Sequence, residues 1–106
     1  MALTRNFKDT IMERIRTDSE YADAIFEQGV QAMLNGDVGA GKSIIRDYIN
    51  ATIGFEALAA EVDKDPKSVM RMFSEKGNPN ANNLFGVIGS LQRYTKKHLQ
   101  VSAVPA

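Results

Sequence analysis

Two clusters of charged and small polar residues have the types and spacing that could do chemistry. The segment Gly36–Ser43 reads Gly-Asp-Val-Gly-Ala-Gly-Lys-Ser and matches the phosphate-loop pattern letter for letter. In such a loop, backbone N–H groups surround phosphates, the lysine neutralises charge and the serine hydroxyl holds Mg²⁺. The second cluster is basic, spans residues 64–71, and contains residue types that contact DNA bases and phosphates.

The surroundings of the phosphate-loop pattern favour a turn between two helices over a nucleotide site. A true phosphate loop follows a buried parallel strand, whereas the apolar residues before Gly36 recur at helical spacing. We expect Gly36 to end one helix and Asp37 to cap the next. Gly39 and Gly41 would permit close packing, and Lys42 would lie in the turn. Nucleotide hydrolysis using Lys42 is the alternative.

Composition excludes several other kinds of site. The chain has 106 residues, no cysteine and one histidine, which excludes disulfides, thiol catalysis and multi-histidine metal sites. The length predicts one domain. No apolar run is long enough to span a membrane and the N-terminus lacks a leader-like apolar segment, so we expect a cytoplasmic protein. Nothing in the sequence suggests catalysis, so we expect neither enzymatic activity nor a cofactor.

The formal net charge is zero, but the two halves of the chain differ. Residues 1–51 contain six basic and eight acidic side chains, and residues 52–106 contain seven basic and five acidic ones. A neutral chain is not a general polycation, although a local basic face remains possible. The acidic residues near the N-terminus form either a solvated face or a docking surface for a basic partner. They are Asp9, Glu13, Asp18, Glu20 and Asp23.

The spacing of apolar residues predicts an all-α fold of five to six short helices. The predicted helices cover approximately residues 6–15, 19–35, 37–51, 55–62 and 66–75, with a sixth around 84–91. Ser19 is expected to cap the second helix, Asp65 with Pro66 to start the fifth, and Gly54 and Gly77 to act as stops. We expect residues 1–98 to form a single helical domain and residues 99–106 to form a disordered tail.

Two of these helices are close enough in sequence to form a helix-turn-helix unit at about residues 55–75. Ala59 is small enough to lie where two steeply crossing helices touch, beside Leu58 and Val62, with Val69 and Met72 facing back toward it. The outer side would then be basic and suited to the major groove of DNA. The predicted DNA contacts are Lys64, Pro66, Lys67, Ser68 and Arg71, with Asn78 and Asn80 from the following polar loop. A plain helical hairpin with a solvated basic face is the alternative.

Several segments resemble those of a known family. They are the run from Asp47 to Ala59, the Lys-Ser-Val-Met-Arg-Met-Phe segment at 67–73, and Gly-Asn-Pro-Asn at 77–80, with Phe7–Ile11 and Gly36-Asp37 upstream. With these segments the chain resembles the addiction-module antidote proteins, which are HigA-like antitoxins. That resemblance implies a Cro/repressor-type, lambda-repressor-like helix-turn-helix domain, here with an N-terminal helical extension. The family usually has glycine at the turn position occupied here by Asp63, and aspartate tolerates a left-handed backbone better than most residues.

The resemblance also implies partners. It implies the antitoxin of a type II toxin–antitoxin system, a protein that neutralises a RelE-like toxin and represses transcription of its own operon. One recognition helix buries too little surface for specific operator binding, so we expect a homodimer on a two-fold operator. Its half-sites would be spaced by about 34 Å or a multiple. The alternative is a helical protein-interaction module that keeps the helix-turn-helix shape without reading DNA.

Overall fold

The computed structural model describes residues 2–106, with side chains from Phe7 onward, and this part of the chain contains six helices and no strand. The helices are α1 (Ala2–Thr17), α2 (Ser19–Leu34), α3 (Val38–Ala51), α4 (Phe55–Glu61), α5 (Pro66–Met72) and α6 (Ala81–Thr95). The predicted all-α class is confirmed. Each of these helices is too short or too polar to cross a lipid bilayer, as far as residues 2–106 are concerned.

Most helix ends follow the capping signals in the sequence. Asp37 caps α3 by accepting a hydrogen bond from the N–H of Ala40 at 3.1 Å. Asp65 caps α5 by accepting a hydrogen bond from the N–H of Lys67 at 3.1 Å. Gly36 and Gly54 have φ of +91° and +82°, a backbone conformation that glycine adopts without steric cost. The predicted caps and breaks at these four positions are therefore confirmed.

Two predictions near the N-terminus are wrong. Helix α1 extends beyond residues 6–15 at both ends. The cap of α2 is Asp18 and not Ser19, because the Asp18 carboxylate accepts a hydrogen bond from the N–H of Tyr21 at 3.2 Å. A carboxylate is favoured at this position over a hydroxyl by the positive end of the helix dipole as well as by the hydrogen bond itself.

Helices α2 and α3 approach so closely that a Cβ has no room at their contact. A methyl group on Gly41 would overlap the Met33 side chain and lie 2.7 Å from the carbonyl oxygen of Gly29. One on Gly29 would lie 2.6 Å from the Cδ1 atom of Ile45. The predicted packing role is confirmed for Gly41 and wrong for Gly39, whose Cβ would meet no heavy atom within 4 Å.

The core lies between the α2–α3 pair and the three helices that follow. Phe26 of α2 stacks on Tyr48 of α3 with ring centroids 4.6 Å apart. Phe55 of α4 meets Phe73, the residue after α5, at 6.4 Å. Phe73 is fully buried, so it anchors the C-terminal end of α5 in the core.

The chain after α6 has no regular secondary structure. Its residue Leu99 packs against the core, and the Leu99 N–H donates to Oε1 of Gln92 at 2.8 Å. The disorder expected for residues 99–106 stays a prediction.

Candidate nucleic-acid interface

Helices α4 and α5, called here the α4–α5 pair, are joined by the four residues Val62–Asp65. Leu58 and Ala59 of α4 and Val69 of α5 have no exposed surface, as expected for the contact between the two helices. Within the connection, Asp63 has a φ of +56°, in the left-handed region. Asp63 therefore takes the left-handed conformation that aspartate tolerates, and the turn forms without glycine.

The outward face of α5 is basic with one apolar side chain at its centre. Val69 and Met72 are buried, while Lys67, Met70 and Arg71 are exposed. Met70 is 51% exposed and was not among the predicted contacts, since a methionine in a short amphipathic helix suggests core. The signal that could have found it is its position directly after Val69, which places it about 100° away on the helix surface.

A groove of about 320 Å³ separates α5 from the loop that follows, and we call it the α5 groove. Its polar lining comes from Ser68, Arg71, Ser74, Lys76 and Asn78. The structure thus brings together three of the predicted contacts, Ser68, Arg71 and Asn78. Lys76 was missed because it lies just beyond the predicted recognition helix, although its charge and position in the polar loop were visible in the sequence.

The other four predicted contacts lie outside the lining of the α5 groove. Lys64 in the turn and Lys67 on α5 are exposed, and Pro66 begins α5 half-buried. Asn80 is the N-cap of α6, where its Oδ1 accepts a hydrogen bond from the N–H of Asn83 at 2.8 Å. Only the side-chain amide nitrogen of Asn80 therefore remains as a donor to a ligand.

The cations on and beside α5 have no ion-pair partner among residues 7–106. Over residues 7–106, ion pairs join Lys8 to Asp47, Arg14 to Asp18 and Lys97 to Asp23, all away from α5. The cations without such a partner in this range include Lys64, Lys67, Arg71 and Lys76. Arg71 and Lys76 line the α5 groove together, and unpaired cations so placed can attract phosphate oxygens although the net charge is zero.

Helix α5 ends at Met72, three residues before its predicted end near Glu75, because the chain folds back over its last turn. Ser74 donates both its N–H and its hydroxyl to the carbonyl oxygen of Arg71, at 3.2 and 2.8 Å. A methyl group on Gly77 would overlap that same oxygen. Gly77 therefore permits a close backbone approach, and its predicted role as a helix stop is wrong.

Lys42, the lysine of the phosphate-loop pattern, lies inside α3 and not in the turn where it was predicted. It is only 6% exposed, and its Nζ donates to the carbonyl oxygens of Ser74 at 2.9 Å and Gly77 at 2.6 Å. The element before the pattern is the helix α2, and residues 38–43 belong to α3. An ammonium enclosed by carbonyl oxygens cannot neutralise a phosphate, so this geometry does not fit nucleotide binding.

The acidic residues near the N-terminus divide into two groups. Asp18 caps α2 and pairs with Arg14 at 3.6 Å, and Asp23 pairs with Lys97 at 3.0 Å. The exposed acidic residues with no ion pair to residues 7–106 are Asp9, Glu13 and Glu20. Of the five predicted docking residues, these three have no ion-pair partner in that range and carry the docking prediction.

In the part of the chain that the structure describes, no group of three or more His, Cys, Asp or Glu side chains is placed to hold a metal ion. The α4–α5 pair and the α5 groove are the candidate site for function.

Comparison of the chain with protein-family models, with curated proteins and with solved structures found no match.

Proposed function

We propose that this protein is a sequence-specific DNA-binding repressor of its own operon and the antitoxin of a type II toxin–antitoxin system. The observation that carries DNA binding is the α4–α5 pair, with its four-residue connection, the left-handed Asp63 and the basic outward face of α5. Helix-turn-helix proteins use such an arrangement to place the second helix in the major groove.

The polar and apolar side chains on the outward side of α5, together with Lys76 after it, each suit a particular part of DNA. Arg71 can donate two hydrogen bonds to guanine, Ser68 can bond to any base, and Met70 can contact the methyl group of thymine. Lys67 and Lys76 suit phosphate oxygens, which position a protein without reading sequence. Base readout therefore falls mainly to Arg71.

The dimensions of the molecule agree with a homodimer on DNA. Its principal extents are 38 × 38 × 28 Å. In a two-fold dimer of molecules of this size, the two copies of α5 can lie about 34 Å apart, which is one turn of B-DNA. Two copies of α5 would supply the buried surface that one seven-residue helix lacks.

The antitoxin role rests on the resemblance to the addiction-module antidote proteins together with charge. A RelE-like toxin is expected to be basic because it acts on RNA. The exposed carboxylates of Asp9, Glu13 and Glu20 would attract such a partner and speed the encounter.

A second candidate function, a protein-interaction module, is favoured by Met70. A 51% exposed methionine at the centre of a helix face is typical of a protein interface as well as of a thymine contact. Substitution of Arg71 distinguishes the two functions, because a protein partner would not require an arginine to donate to guanine.

The test of DNA binding is Arg71→Ala, titrated by fluorescence anisotropy on DNA from upstream of the protein's own gene. Loss of a bidentate guanine contact should cost about 1–3 kcal/mol per half-site. For a dimer this amounts to about 2–6 kcal/mol, or roughly 30-fold to more than 10⁴-fold in Kd. Arg71 is exposed, so the thermal melt should stay unchanged.

Lys67→Ala is the matched control for a cation that touches phosphate. It should weaken binding less than Arg71→Ala and flatten the salt dependence of Kd, because one fewer counterion is released per half-site. An unchanged Kd for Arg71→Ala, with an unchanged melt, would withdraw α5 as the recognition helix and favour the protein-interaction module.

A further inference from the structure

The buried ammonium group of Lys42 is held by backbone carbonyls alone. Its Nζ lies 2.6 Å from the oxygen of Gly77, 2.9 Å from that of Ser74 and 3.5 Å from that of Glu75. No carboxylate among residues 7–106 forms an ion pair with it. These carbonyls directly follow the C-terminus of α5, where the helix dipole also favours a cation.

Lys42 therefore fastens the segment Ser74–Gly77, called here the 74–77 segment, to α3. Four residues further along α3, the Nη1 atom of Arg46 lies 3.5 Å from the carbonyl oxygen of Phe73, a weaker second link. The 74–77 segment includes Lys76 and leads directly to Asn78, and both line the α5 groove. The Lys42 side chain, which extends from α3 to the 74–77 segment, thus holds one side of the groove in place.

We infer that Lys42 is a positioning residue for DNA binding: it orders the 74–77 segment so that Lys76 and Asn78 are in place before DNA arrives. This inference rests on the proposed function. Lys42 does not touch DNA, since it is buried and its donors are already taken. Its contribution is to remove the entropy cost of ordering the segment during binding.

The first test is Lys42→Met, which keeps the length of the side chain and removes the donor. The Kd for upstream DNA is measured under conditions where the variant is fully folded. It should rise about tenfold, because Lys76, Asn78 and the 74–77 segment would have to become ordered during binding. Lys8→Met is the matched control, because it removes one cation from the ion pair between Lys8 of α1 and Asp47 of α3 and should leave Kd unchanged.

The salt dependence separates positioning from contact. Lys42→Met should leave the slope of log Kd against log salt as in the unsubstituted protein, because no phosphate contact is lost. Lys76→Met should lower the slope by about one per half-site, as expected when a lysine that neutralises a phosphate is removed. A slope lowered equally by both substitutions would overturn the inference and make Lys42 a DNA contact.

Hydrogen exchange supplies a readout that a loss of overall stability would not give. The Gly77 N–H donates at 3.1 Å to the Ser74 carbonyl, which Lys42 also holds. In Lys42→Met, exchange at Gly77 should quicken about tenfold or more while Ile45 and Leu91 in the core stay unchanged, because only a local opening becomes easier. Equal acceleration at all three amides would assign Lys42 to general stability and overturn the inference.

The outcomes also separate this inference from the proposed function. Normal DNA binding by Lys42→Met would overturn the positioning role and leave the repressor proposal intact, whereas no binding by the unsubstituted protein would overturn both.

If Lys42→Met does not fold, the positioning role is tested in the unsubstituted protein by comparing the NMR signals of its lysine ammonium groups with and without DNA. A Lys42 signal unmoved by DNA, beside shifted Lys67 and Lys76 signals, supports positioning, and a shifted Lys42 signal overturns it.

Discussion

At the scale of single residues, the backbone of Asp63 decides whether α4 and α5 can form a compact pair. Its φ of +56° lies in a region that costs an L-residue about 1–2 kcal/mol, less for aspartate and asparagine and least for glycine. Asp63 is exposed, so its conformation and not its packing determines which side chains the position accepts.

We predict opposite effects for two substitutions at this position. Asp63→Gly should leave stability unchanged or raise it by up to about 1 kcal/mol, since relief of strain is offset by a more flexible unfolded chain. Asp63→Val should destabilise by about 1–2 kcal/mol, because a β-branched side chain clashes in the left-handed region. Urea unfolding measures both, with Lys64→Val, at an exposed residue without a positive φ, as the control. Equal midpoints for the two Asp63 variants would contradict the left-handed turn.

At the scale of elements, α3 joins the two halves of the domain. The side of α3 that bears Gly41 packs against α2, and Lys42 and Arg46 reach the end of α5. Within the residues that match a phosphate loop, Asp37 caps α3, Gly41 packs against α2 and Lys42 holds the 74–77 segment.

The two glycines of α3 provide a matched pair of substitutions. Gly41→Ala should destabilise by about 1–3 kcal/mol, because the new methyl group would overlap Met33 and crowd the Gly29 carbonyl. Gly39→Ala should stabilise by about 0.5–1 kcal/mol, because it raises helix propensity where nothing is crowded. The urea midpoints of the two variants should fall on opposite sides of that of the unsubstituted protein. A stabilising Gly41→Ala would show that α2 and α3 are further apart than described.

At the scale of the whole molecule, a zero net charge conceals two separate surfaces. Lys67 and Arg71 lie on α5, with Lys64 before it and Lys76 after it, whereas Asp9, Glu13 and Glu20 lie on α1 and the first turn of α2. A repressor that also binds a basic toxin needs both kinds of surface. Keeping them on different helices would let DNA and toxin bind without competing for the same charges.

The toxin-docking prediction is therefore tested by charge reversal at the three exposed carboxylates. Charge reversal keeps α1 and α2 in place, whereas a deletion of residues 1–35 would remove both helices and expose Tyr48, on which Phe26 of α2 stacks. The triple variant Asp9→Lys, Glu13→Lys and Glu20→Lys should slow association with the RelE-like toxin about tenfold at low salt, and less as salt is raised. Stopped-flow mixing measures this rate.

The control for that prediction reverses an equal number of charges elsewhere. Glu56, Glu61 and Glu75 are exposed in the second half of the chain, and their reversal to lysine should leave the toxin association rate unchanged or raise it slightly. If both triple variants slow association equally, the effect comes from net charge and the docking surface lies elsewhere.

The sequence by itself determined the helical class, the helix starts at Asp37 and Asp65, and the inward side of the α4–α5 pair. These features depend on residues within about four positions of each other, because helix periodicity and capping are local. The same local information placed Arg71 and Lys67 on the outside of α5, since Val69 and Met72 had to face inward.

Tertiary structure decided what distant residues do to each other. Lys42 meets the Ser74 carbonyl 32 residues away, and nothing in the spacing around Lys42 indicates that partner. Gly41 and Gly39 look alike in the sequence, yet only Gly41 faces α2. The end of α5 likewise depends on the fold-back of the chain at Gly77. Such contacts depend on how whole helices pack, and local spacing cannot specify that packing, because it leaves open which buried faces meet and how closely.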